Sequence, residues 1–165
     1  MDPDSCLLRW TELCNGITVM PLSLGAAFAL LLALMLLYTS GFVSASEIAF
    51  FSLSPSDLND IEEENHPSDS KIKALLEDSE RLLATILISN NFVNVTIIML
   101  LNYVFASVID FGEAKILEFL IVTVVLTFLL LLFGEIMPKI YSAQHTLPFA
   151  RKAAPVVTVL RTVFW

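Results

Sequence analysis

Charge is scarce in this sequence where a soluble protein would have most of it. Only 16% of its 165 residues are Asp, Glu, Lys or Arg, and Leu13 to Ser46 and Leu82 to Ile109 hold none. With 56% hydrophobic residues and a mean hydropathy of +0.78, that excludes a water-soluble domain. Cysteine and histidine are also rare, two of each, and no zinc-ligand spacing occurs. There is no Gly-rich phosphate loop and no nucleophile elbow, so the chain is not read as an enzyme. His66 and His145, each without a partner at ligand spacing, read as cytoplasmic surface residues. The net charge of −8 comes largely from residues 54–81 and argues against binding nucleic acid.

What is present is apolar length. Each uncharged stretch exceeds the roughly 20 residues that cross a hydrocarbon core. A third, from about Leu117 to Met137, has Glu118 and Glu135 near its ends but the apolar centre IVTVVLTFLLLLF. The expected fold is an all-α membrane protein with three spans, at about 20–50, 82–108 and 116–138. Lys and Arg set the orientation. Arg9 and Lys115 flank one side; Lys71, Lys73, Arg81, Lys139, Arg151, Lys152 and Arg161 flank the other. The N-terminus and the 110–116 loop are therefore expected outside, and the 54–81 loop and C-terminus in the cytoplasm. Asp2 and Asp4 replace the basic start of a cleavable signal, so the first span reads as uncleaved. Cys6 and Cys14 then lie on the outer flank, where a disulfide is chemically allowed and free thiols fit equally well.

Between spans one and two, Ser54-Pro55-Ser56 can stop one helix and start another. Ile72, Leu75 and Leu76, followed by Leu82 and Leu83, imply a helix running along the cytoplasmic face into span two. Asp57 to Glu64 fails as a calcium loop, because Ile61 and Glu62 stand where an oxygen ligand and a glycine are needed. It reads as a solvated acidic face. After a transmembrane domain of 1–142, residues 143–165 mix apolar and basic side chains and are interrupted by Pro148 and Pro155. They imply a juxtamembrane helix at the inner interface, with its basic groups at lipid headgroups and Phe149, Phe164 and Trp165 toward lipid or protein. An ending on Val-Phe-Trp without a cap implies a piece of a longer protein.

Each span carries a polar cluster: Ser40 and Ser44; Asn90, Asn91 and Asn94; Gly134-Glu135 followed by Pro138. Ser40/Ser44 and Asn90/Asn94 are four apart and so share helix faces. A charged side chain at the bilayer centre costs roughly 2.5–3.5 kcal/mol on insertion scales, which makes Glu135 the most informative residue. Entering near Leu82, span two places Asn90 and Asn94 about 12–18 Å deep. Span three returns Glu135 to the same half. Gly134 permits close backbone approach, and Pro138 frees the Gly134 carbonyl from its usual donor. A pocket of hydroxyls, amide oxygens, a carbonyl and a carboxylate suits a hard cation: magnesium, calcium, manganese or sodium. The alternative is a polar seam of inter-helix hydrogen bonds in a non-transporting scaffold or sensor.

The stretches SGFVSASEIAFFSLS, ISNNFVNV and FGEIMPKIYSAQH resemble, in order and position, three signatures of the CorC/CNNM magnesium-transporter family's transmembrane domain, often called DUF21. The resemblance covers about 22–165. It implies three spans plus a juxtamembrane helix, a homodimer in the lipid bilayer of a bacterial inner (plasma) membrane, and outward movement of Mg2+ in exchange for Na+. It places metal ligands on Ser40, Ser44, Asn90 and Asn94, with the Gly134 carbonyl as a backbone ligand and Glu135 as a required acid. Ser89 departs from the pattern, since many relatives have glycine there. The resemblance further implies a cytosolic pair of cystathionine-β-synthase (CBS) modules after residue 165. One branch of the family, in gliding bacteria, is associated with motility.

Overall fold

The structure, a computed structural model, describes residues 18–63, 66–110, 112 and 115–164. Cys6, Cys14, Arg9, Glu64 and Trp165 lie outside the described residues. Helices α1 (Leu24–Phe51), α2 (Pro55–Glu62), α3 (Asp69–Leu76) and α4 (Ser79–Val108) are followed by α5 (Lys115–Leu131), a π-helical turn (Leu132–Ile136), α6 (Met137–Gln144) and α7 (Thr146–Phe164). Three helical stretches are long and apolar enough to cross a membrane: Leu24–Phe51, Ser79–Val108 and Glu118–Gln144. At 1.5 Å per residue each exceeds a hydrocarbon core of about 30 Å. Most of their large apolar side chains point outward: Leu24 is 91% exposed and Phe28 70%, which only a lipid surround makes tolerable.

The chain divides into two compact units. The first takes its described residues from Met1–Met35 and Thr96–Leu129. Ser23 opens α1 by accepting the Ala26 N–H at 3.1 Å. Ala26, Ala29 and Ala33 form a buried small-residue stripe, and Ile97, Val104, Val122 and Leu126 complete the interior. A short antiparallel pair, β1 (Thr18–Val19) with β2 (Ile109–Asp110), adds to the all-helical expectation. Beyond it, Gly112 adopts φ 56°, a conformation open to glycine.

The second unit comprises Leu36–Val95 and Leu130–Trp165. Ser54 and Asp57 form a reciprocal capping box on α2, with Pro55 in its first turn. The Ser54 hydroxyl, then its backbone N–H, holds the Asp57 carboxyl below its usual range. Instead of one helix entering span two, the chain breaks at Glu77–Asp78 between α3 and α4. Asp78 accepts the Arg81 N–H at 3.4 Å. The break lets Ile72, Leu75, Leu82 and Ile86 all reach one core with Val43, Phe50 and Ile61.

Helix α7 corrects two expectations. The prolines do not break it: Pro148 sits in the first turn, where no intrahelical donor is needed, and Pro155 is accommodated inside one continuous helix. Nor do all its basic groups reach for headgroups. Arg151 donates through Nε to Asp69 Oδ1 at 2.8 Å and through Nη2 to Oδ2 at 3.0 Å. Arg161 donates to the Ala74 carbonyl at 3.0 Å. Asp69, fully buried, also accepts the His66 N–H at 2.9 Å. With Leu147, Ala150, Ala153, Ala154 and Val157 in the core, α7 is fastened to α3. Phe149 packs on Phe42, ring centroids 5.2 Å apart, and Phe164 is exposed.

Candidate metal centre

Hydroxyls within a span usually bond back to their own helix. Ser46 does so to the Phe42 carbonyl at 2.7 Å, Thr85 to Arg81 at 2.8 Å, and Ser89 to Thr85 at 2.7 Å. The departure at Ser89 is therefore absorbed locally. Ser40 and Ser44 behave differently. Ser40 is fully buried, with Oγ 2.9 Å from Asn90 Oδ1 and 2.6 Å from Asn94 Oδ1. Ser44, one turn on and 1% exposed, has no hydrogen-bond partner for its buried Oγ among the described residues.

Asn94 Nδ2 donates to Glu135 Oε1 at 3.2 Å, which turns the Asn94 amide oxygen toward Ser40. The structure thus joins Ser40, Asn90, Asn94 and Glu135 in one network across three helical segments, with Ser44 beside Ser40 on α1. Asn91 is exposed and takes no part. Ser40 has one hydroxyl proton for two amide oxygens.

The π-turn brings Glu135 to this place. Met137 donates its N–H to the Leu132 carbonyl, a bond one residue longer than in an α-helix. Phe133 thereby loses its α-helical donor, and Gly134 has none because Pro138 lacks an N–H. Two adjacent carbonyls are relieved of α-helical bonds, where the sequence pointed to Gly134 alone. A Cβ on Gly134 would lie 3.5 Å from Ser40 Oγ, an ordinary contact. The close approach is instead at Gly41, missed in the sequence. A Cβ there would lie 2.9 Å from Pro138 Cγ and 3.3 Å from the Phe133 oxygen. Gly41→Ala is expected to lower stability by about 1–3 kcal/mol, as overpacking does, and Gly134→Ala by less. Thermal midpoints of the two purified variants check the order.

Two further contacts link α1 to α6: Lys139 Nζ to Glu47 Oε2 at 2.9 Å, and the Ser142 hydroxyl donating to the Ala45 carbonyl at 2.7 Å.

Residues 31–165 match the family described as the cyclin M transmembrane N-terminal domain, CNNM. The chain belongs to the CNNM family. It is 30% identical over 135 residues to a UPF0053 protein of Haemophilus influenzae, covering 82% of this chain and 31% of that one. It is 28% identical over 130 residues to the UPF0053 inner membrane protein YfjD of Escherichia coli, covering 76% and 29%. To metal transporter cnnm-4 of Caenorhabditis elegans it is 32% identical over 130 residues, covering 76% and 27%. The matched stretch thus covers less than a third of the length of each of these relatives. Family membership and three apolar helices together make this a multi-pass membrane protein.

Proposed function

We propose that the chain moves Mg2+ across the membrane, outward and in exchange for Na+, through a site made of Ser40, Ser44, Asn90, Asn94, the Gly134 carbonyl and Glu135. The observation that carries this reading is the convergence of Ser40 Oγ, Asn90 Oδ1 and Asn94 Oδ1 around one proton, beside the partnerless Ser44 hydroxyl. Oxygens gathered in excess of donors, without thiolate or imidazole, form an environment that a hard cation stabilises. In this reading Glu135 positions Asn94 through its amide and supplies negative charge to the cargo. The metal transporter among the relatives supports transport of metal; the inner-membrane relative supports an inner-membrane location. The working unit is a homodimer with its N-terminus outside, and its cytosolic CBS modules follow residue 165.

The same cross-helix hydrogen bonds also suit a membrane scaffold held by a polar seam. Flux separates the two. Proteoliposomes loaded with Mg2+ should release it faster than empty vesicles, and faster again under an opposing Na+ gradient. A scaffold gives no release above background. A Mg2+ titration should also raise the thermal midpoint, by a free energy of about 2.7 kcal/mol at a hundredfold excess over Kd.

A further inference from the structure

The donor groups of α1 do not stop at Ser44. Ser40, Ser44 and Glu47 follow at i, i+4 and i+7, within one face. Opposite them, Glu135 and Lys139 are four apart, and Lys139 spans to Glu47 at 2.9 Å. Along its own segment Lys139 stands between Glu135, which accepts from Asn94, and Ser142, which donates to the Ala45 carbonyl. Its side chains are 35% and 26% exposed, so Lys139 has a path outward.

Charge balance gives this pair a consequence. Within a poorly screened site, net charge left uncompensated is expensive. With the Lys139 ammonium on Glu47, one negative charge remains near the oxygen cluster, that of Glu135. One charge balances a monovalent cation. When the ammonium withdraws, Glu47 and Glu135 together carry two, which balance a divalent one. We infer that Lys139 is a tethered counter-cation that discriminates between the two cargoes: it stays on Glu47 with a monovalent ion and leaves Glu47 to a divalent one. Lys139 is thus a specificity-determining positioning residue, and Glu47 a second carboxylate for the divalent ion. The inference rests on the proposed cation site and refines it.

The test uses the full protein in lipid nanodiscs. Acetic anhydride labelling of Lys139, read by mass spectrometry, should rise when Mg2+ is added and not when Na+ is added at equal ionic strength. Asn94→Ala should abolish the rise. In calorimetry, Lys139→Gln should bind Mg2+ about tenfold more tightly, and that gain should vanish in the Glu47→Gln background. A structural ion pair would leave labelling unaffected by Mg2+, and Lys139→Gln would bind no more tightly; either result overturns the inference. The labelling arm needs no substitution at the pair, so a poorly folding Lys139→Gln does not shelter the idea. If Asn94→Ala binds Mg2+ normally, the site itself is misplaced. If Asn94→Ala loses binding while Lys139 fails either arm, only the counter-cation falls.

Discussion

Asn94→Ala is expected to lower Mg2+ efflux from proteoliposomes by about a hundredfold or more, while the variant still extracts as folded protein. Asn94 is the hinge of the network: its oxygen meets Ser40 at 2.6 Å and its amide nitrogen meets Glu135 at 3.2 Å. Removing it withdraws one oxygen from the cluster and leaves the Glu135 carboxylate without its donor. Glu135 is half-buried, so the loss falls on the ion rather than on the fold, and a loss of about 2.7 kcal/mol in holding the ion is a factor of 100. Asn91→Ala, three residues away on an exposed face, should leave flux within about twofold of the unaltered protein, a difference under 0.5 kcal/mol. Equal flux loss in both variants would mean that the helix, not the cluster, is being read. Glu135→Gln sharpens the assignment. It retains an acceptor for Asn94 but loses the charge, so preserved flux would confine Glu135 to holding the amide.

Arg151→Ala is expected to be the most destabilising single change outside the spans, at about 3 kcal/mol. It would leave the fully buried Asp69 carboxylate facing only the His66 N–H at 2.9 Å, and breaking a buried ion pair from one side costs about 3–5 kcal/mol. The partial exposure of Arg151, 22%, favours the lower end. The Arg151 guanidinium holds the Asp69 carboxyl below its ordinary 3.8, and Asp69 in turn raises Arg151 above the usual guanidinium range. Because the folded carboxyl has the lower pKa, the unfolded chain binds the extra proton. The pair's stabilisation is therefore complete above about pH 4 and is lost as pH falls through the folded value. Unfolding midpoints between pH 3 and pH 7 should fall steeply at the acid end in the unaltered protein. In Asp69→Asn they should start lower and fall less.

How much of this was legible in the chain depended on sequence distance. The spans follow from uncharged length, and the shared faces of Ser40 with Ser44 and Asn90 with Asn94 follow from helical period. Pro138 announced a carbonyl without its donor. The π-turn, however, shifts hydrogen bonding one residue earlier through Met137 and Leu132, and no residue type marks that shift, so the contribution of Phe133 was hidden. The close approach at Gly41 depends on Pro138, 97 positions away, and could not be seen from either residue alone. The Arg151–Asp69 clamp likewise joins residues 82 apart. Read locally, Arg151 belonged to a basic amphipathic helix that a headgroup layer would satisfy. Only the packing of α7 on α3 shows that a carboxylate had already claimed it. In the sequence Ser44 is one of several span hydroxyls; in the structure Ser46, Thr85 and Ser89 bond to their own helices, while the Ser44 Oγ has no partner among the described residues.

The most direct measurement is an experimental structure of the protein in lipid with Mn2+ standing in for Mg2+, located by its anomalous scattering. The expected result is one ion among Ser40 Oγ, Asn90 Oδ1, Asn94 Oδ1 and the Gly134 carbonyl, at metal–oxygen distances near 2.1 Å. That density should disappear in Asn94→Ala. An ordered cluster with Ser40 still bonded to both asparagines and no ion at saturating Mn2+ would contradict a metal centre there and leave a packing seam.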